Sequence, residues 1–141
     1  MAKSGTIVVI EDDIDDRDIF ELILRDLGYQ NALRWFRYTN EAWDYMKTTD
    51  EKMFIIFCDV NLPKQSGLEF KKQIDDDPEL RQKSIPFVFF STSSNQREID
   101  TAYTQMTVQG YFVKGNDYND IKSMIKLVLD YWMTCKHPNT Q

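Results

Sequence analysis

Five short apolar, β-prone runs alternate with longer polar segments whose hydrophobic residues recur at helical spacing, and this alternation constrains the chain more than any other feature. Strand-like runs fall at residues 6–10, 32–38, 54–58, 85–91 and 110–113. Between them lie helical stripes: Ile19, Phe20, Ile23, Leu24 and Leu27, stopped by Gly28; Ala42, Tyr45 and Met46, with Thr39 placed to cap; and a third helix that Ser66 can cap, running towards Asp75-Asp76-Asp77-Pro78. Ile99, Ala102, Tyr103 and Met106 form a fourth stripe, and Ile121, Ile125, Val128, Leu129 and Trp132 a fifth, the strongest. Regular βα alternation implies a mostly parallel sheet covered by helices on both faces. Arg34 and Arg37, interleaved in the second run, suit an edge strand. Residues 78–84 read as a polar connection with a helical turn at Glu79-Leu80-Arg81, and the acidic triplet before it as a solvated helix end.

A length of 141 residues fits one domain, expected over residues 5–133 with a polar tail at 134–141. The balance of 17 basic to 23 acidic residues gives a net charge of −6, which disfavours nucleic acid or an anionic membrane surface as a direct partner. No signal-peptide core precedes the first strand and no run approaches membrane-spanning length, so a soluble, cytoplasmic protein is expected. Cys58 reads as a small buried hydrophobe, and Cys135 with His137 would make a poor metal pair.

The chemistry sits where the apolar runs end. Phe54-Ile55-Ile56-Phe57-Cys58 runs into Asp59, Ile7-Val8-Val9-Ile10 into Glu11-Asp12-Asp13, and Tyr111-Phe112-Val113 into Lys114. A carboxylate at the carboxyl tip of a buried strand is costly unless a cation meets it, and such tips are where open α/β sheets place ligands. Side by side, these strands would bring two acidic ends and one basic end together. That constellation suggests a metal-dependent phosphoryl site centred on Asp59. From Asp13 onward, Asp13, Asp15 and Asp16 read as capping and dipole partners of the first helix.

In order along the chain, Ile7-Val8-Val9-Ile10-Glu11-Asp12, Asp59-Val60-Asn61-Leu62-Pro63, Gly67, Pro86-Phe87-Val88-Phe89-Phe90-Ser91 and Gly110-Tyr111-Phe112-Val113-Lys114 resemble a response regulator receiver domain of the stand-alone, chemotaxis-response-regulator-like kind. The resemblance covers residues 5 to 133. It implies a flavodoxin-like sheet of order 2-1-3-4-5 with five helices. It also implies that Asp59 accepts a phosphoryl group from a sensor histidine kinase or a histidine phosphotransfer protein. Mg²⁺ would be held by Asp12, Asp59 and the backbone carbonyl of Asn61, with Glu11 acting through a water. Lys114 would pair with Asp59 in the empty site and with a phosphoryl oxygen in the filled one. Ser91 and Tyr111 would form the switch, read by a downstream protein at the face of the fourth helix, fifth strand and fifth helix. Such a domain assists its own phosphorylation and dephosphorylation and turns over no separate substrate. Three positions depart from the family pattern: Gly115 where a proline is usual, Thr92 where a smaller residue is frequent, and Leu62 for a frequent methionine. Two rivals stand beside this reading: a receiver-fold docking module that is never phosphorylated, and a small phosphatase. The second acid that such a phosphatase places two residues past its nucleophile is Asn61 here.

Overall fold

In the computed structural model, which describes residues 2–138, five parallel strands form one sheet of order β2-β1-β3-β4-β5. The strands are β1 (Thr6–Ile10), β2 (Leu33–Phe36), β3 (Met53–Cys58), β4 (Phe87–Ser91) and β5 (Gly110–Val113). The helices are α1 (Ile14–Asp26), α2 (Thr39–Thr48), α3 (Gly67–Asp76), α4 (Pro78–Lys83), α5 (Gln96–Gln105) and α6 (Tyr118–Thr134). The expected order and flavodoxin-like fold hold, with one more helix than the sequence suggests. Residues 78–83 form a helix of their own because Pro78 takes the first turn and the Asp77 side chain accepts from the Leu80 N–H. The helices expected as fourth and fifth are therefore α5 and α6.

Alternation along the strands sorts the core into two layers. Val8, Ile10, Ile56, Cys58, Phe87 and Phe89 face α2, α3, α4 and α5, whereas Ile7, Val9, Ile55, Phe57, Val88 and Phe90 face α1 and α6. Both faces are covered, which is why the three central strands read as unbroken apolar runs. The register slips between Thr6 and Ile7, so Phe54 is an extra residue on β3. Beyond α6 the chain turns back, and the His137 imidazole packs on Phe54 and Trp132 with Nε2 2.6 Å from the Phe54 carbonyl. The segment expected as a polar tail is thus anchored as far as His137, whose ring meets Phe54 and Trp132 rather than Cys135. Residues 139–141 lie outside the described residues.

Local chemistry departs from expectation in three places. Ser66 and Glu69 form a complete capping box on α3, but Thr39 is the first residue of α2 and its hydroxyl meets Gln65 instead of capping. Asp75 is no solvated helix end: it is buried against Lys71 (2.7 Å), and both bond Thr107 in the turn before β5. Tyr103 is 54% exposed, leaving the inner stripe of α5, and its hydroxyl accepts the Tyr111 N–H on the open edge of β5.

Candidate functional site

The strand register lines up the chemistry. Ile10 pairs with Cys58 and Ser91 with Val113, so Glu11, Asp59 and Lys114 each stand one residue past a strand end. Backbone bonds fix the row: the Asp59 N–H donates to Ile10, Glu11 to Phe36 and Lys114 to Ser91. Gly67 closes the site from the α3 side, for a Cβ there would lie 2.0 Å from the Asp59 carbonyl oxygen. Only glycine lets α3 start so close to the residue that carries the carboxylate.

The two oxygens of Asp59 differ. Oδ1 accepts from the N–H groups of Val60 (2.7 Å) and Asn61 (3.3 Å), which orients the carboxylate, while Oδ2 faces Lys114 Nζ at 3.9 Å. The ammonium is buried, bonded closely to Glu11 and at 3.2 Å to Asp16. Its principal partner is therefore Glu11 rather than Asp59. Burial raises the Glu11 carboxyl above the usual range, with Lys114 opposing and Asp59 reinforcing that shift. Burial alone would lower the Lys114 ammonium; Glu11, Asp59 and Asp16 override it and hold it above its ordinary value.

Glu11, Asp12 and Asp59 each offer a carboxylate oxygen within 4.8 Å of the others. Three oxygen donors, two of them half-buried or buried and Asp12 open to solvent, suit a hard divalent cation that keeps several waters. Asp13 is no member of this group: its side chain caps α1 through the N–H groups of Asp15 and Asp16. The Trp35 indole N–H donates to the Glu11 carbonyl at 2.6 Å, placing a fluorophore against the site.

Ser91 is wholly buried, and its hydroxyl accepts the Ser93 N–H at 3.2 Å. Tyr111 is half-buried against Phe89 and donates its hydroxyl to the Ser93 carbonyl at 2.9 Å. The two expected switch residues thus share Ser93 as a partner. Thr92 is exposed. Gly115 is more constrained than its departure from the family pattern suggests, because a Cβ there would lie 2.4 Å from the Asp120 Cβ. Asp16 is the residue that sequence reading missed; a first turn rich in aspartates hides one of them among capping partners.

Comparison with known proteins identifies the family and the fold. Residues 7–126 match the family model for the response regulator receiver domain. Response regulator Rcp1 of Synechocystis is 26% identical over 90% of this chain and 88% of its own. The chemotaxis protein CheY homolog of Campylobacter jejuni is 28% identical over 87% and 91%. The crystal structure of the phosphorylated cyanobacterial phytochrome response regulator RcpA superposes with a TM-score of 0.85 at 26% identity, covering 95% of this chain and 98% of that one. Among the described residues no helix is long and apolar enough to cross a membrane. With its matched span, sheet order and row of strand-end residues, the chain belongs to the response regulator receiver domain family.

Proposed function

We propose that this receiver domain accepts a phosphoryl group on Asp59 from a sensor histidine kinase or a histidine phosphotransfer protein and thereby changes which protein it binds. The observation that carries the reading is the Asp59 carboxylate itself. One oxygen is tethered by two backbone N–H groups, and the other is directed at a buried lysine beside two further carboxylates. The Asp59 Oδ2 attacks the phosphorus of phosphohistidine, the P–N bond breaks, and its electron pair leaves with the imidazole nitrogen, which takes up a proton from solvent. Asp59 is left as an acyl phosphate.

Asp12, Asp59 and the Asn61 backbone carbonyl would hold Mg²⁺, with Glu11 reaching it through a water. When bound, Mg²⁺ supplies the positive charge that an anionic nucleophile and an anionic phosphoryl group need to approach each other. Lys114 gives a phosphoryl oxygen an ammonium partner, and Ser91 gives another a hydroxyl donor. Tyr111 answers the movement of Ser91, and the α5–β5–α6 face carries the signal to a downstream protein in the cytoplasm. The domain assists its own phosphorylation and dephosphorylation without turning over a separate substrate, and residues 5–133 are the unit that does so.

Labelling with acetyl phosphate in the presence of Mg²⁺, with the modified residue located by mass spectrometry, tests the reading. Wild-type protein should be labelled at Asp59 and Asp59→Asn should take up nothing while keeping its fold. Undiminished labelling of that variant would place the acceptor elsewhere, and absence of labelling in the wild type would favour the docking module. Steady release of phosphate from small monoesters would favour the phosphatase.

A further inference from the structure

Lys114 reaches the site from the far end of β5, and only 8% of its side chain is exposed. Its ammonium has three N–H donors. Glu11 takes one, Asp16 takes another at 3.2 Å, and the third is left towards Asp59 at 3.9 Å. The two anchoring carboxylates are not equivalent. Glu11 belongs to the trio whose oxygens lie within 4.8 Å of one another, so it is the partner that a divalent cation would draw away. Asp16 lies outside that trio. It stands on the first turn of α1, where its N–H is held by the Asp13 side chain at 3.3 Å, and its carboxylate meets Lys114 at 3.2 Å.

We infer that Asp16 is a positioning residue for Lys114: it retains the ammonium at the mouth of the Asp59 pocket when Glu11 turns to other work. The inference rests on the phosphoryl-acceptor reading above and adds to it a residue whose only link to the reacting atoms is through the lysine. An exposed aspartate–lysine pair would contribute little, because water competes for both partners. Here the lysine is desolvated, and losing its last fixed partner would let a four-carbon stem swing off target. Asp16 thereby orients the remaining N–H donors towards the place a phosphoryl oxygen would take. The same pair could act as a brake, keeping Lys114 from the phosphoryl group; the two roles predict opposite changes in rate.

The test uses Asp16→Ala, Asp16→Glu, Lys114→Ala and the double variant Asp16→Ala/Lys114→Ala in the full chain. Two readouts are taken: the rate of label uptake from acetyl phosphate with Mg²⁺, and the rate of reductive methylation at Lys114, with and without Mg²⁺, followed by mass spectrometry. Asp16→Ala should take up label about five- to tenfold more slowly, the scale expected for one lost charged hydrogen bond. It should also methylate faster at Lys114, most clearly with Mg²⁺ present. Asp16→Glu should recover part of both effects, since it keeps the charge. The double variant should be no slower than Lys114→Ala alone, because both changes act on one path. Faster or unchanged uptake in Asp16→Ala, unaltered methylation, or additive losses in the double variant would overturn the assignment. If wild-type protein took up no label at all, the phosphoryl-acceptor reading would fall, while methylation would still decide whether Asp16 holds the lysine.

Discussion

The Tyr111 hydroxyl donates to the backbone carbonyl of Ser93, whose own N–H donates to the Ser91 hydroxyl. One residue of the β4–α5 loop therefore ties a side chain on the edge strand to a buried hydroxyl at a neighbouring strand end. Movement of Ser91 towards a phosphoryl oxygen would remove the acceptor of the Ser93 N–H and loosen the carbonyl that holds Tyr111.

Tyr111→Phe deletes that tether while keeping the ring on Phe89. It should cost about 1 kcal/mol in urea denaturation, the ordinary net value of one hydrogen bond. Phosphoryl uptake should persist. Amide exchange with and without beryllofluoride, which mimics the acyl phosphate, should differ most over residues 95–118 in the wild type, and that difference should shrink in the variant. A wild-type change confined to α1 and α2 would rule out this route from site to surface.

Lys114→Met leaves Glu11 buried without its closest counter-charge. Burial already raises the Glu11 carboxyl, and removing the ammonium raises it further. A group with a raised folded-state carboxyl binds its proton more tightly folded than unfolded, so it costs stability as pH rises above the ordinary carboxylate range. The wild-type carboxyl is raised to about 8, so the two proteins part only above that value, and the variant should lose more stability relative to wild type at pH 9.5 than at pH 6. Equal losses at both pH values in metal-free urea titrations would show that Glu11 does not bear the cost.

How much of this was legible beforehand differs by residue. Glu11, Asp12, Asp59 and Lys114 could be placed because a charged residue directly after an apolar run marks a strand end, and parallel strands put such ends in one row. Asp16 could not, since helix capping already accounts for aspartates in a first turn. Asp75 owes its burial to Thr107, 32 residues away, and His137 to a bulge at Phe54; neither distance is written in a local pattern. Tyr103 kept the helical spacing and still faces outward, because the edge of β5 offers its hydroxyl an N–H.

Asp75→Asn should destabilise the fold by about 3 kcal/mol in urea denaturation, because it strands a buried lysine. Burial opposes the Asp75 carboxylate, and Lys71 with the Thr107 N–H and hydroxyl overrides it to hold the carboxyl below its ordinary value. Its contribution is thus present above the unfolded carboxylate's range and lost as pH falls through the folded one. The double replacement Lys71→Met/Asp75→Leu should cost less than Asp75→Asn alone; a larger cost would mean that the pair itself, and not an unpaired charge, is what matters.

His137 should make the fold acid-sensitive. Burial lowers its ring below the ordinary histidine value, outweighing the Phe54 carbonyl, and Lys3 lowers it further. The folded state therefore binds the proton less tightly than the unfolded chain, and stability that is intact above about pH 6.5 declines as pH falls below it. His137→Gln, which retains an N–H donor, should flatten that decline between pH 7 and pH 5. An unchanged slope would assign the acid sensitivity to other groups.

Both described ends of the chain are stitched to the amino-terminal edge of the sheet, opposite the acidic row. Lys3 Nζ donates to the Met133 carbonyl, Asn31 bonds the carbonyls of Lys3 and Gly5, and His137 meets Phe54. For anyone attaching a fluorophore or an affinity handle, this geometry decides where the join belongs. A graft made directly after Thr134 would discard the imidazole and leave a bulge carbonyl facing the interior, whereas one made beyond Pro138 keeps the stitch and stays a full strand length from the carboxylates it is meant to report on.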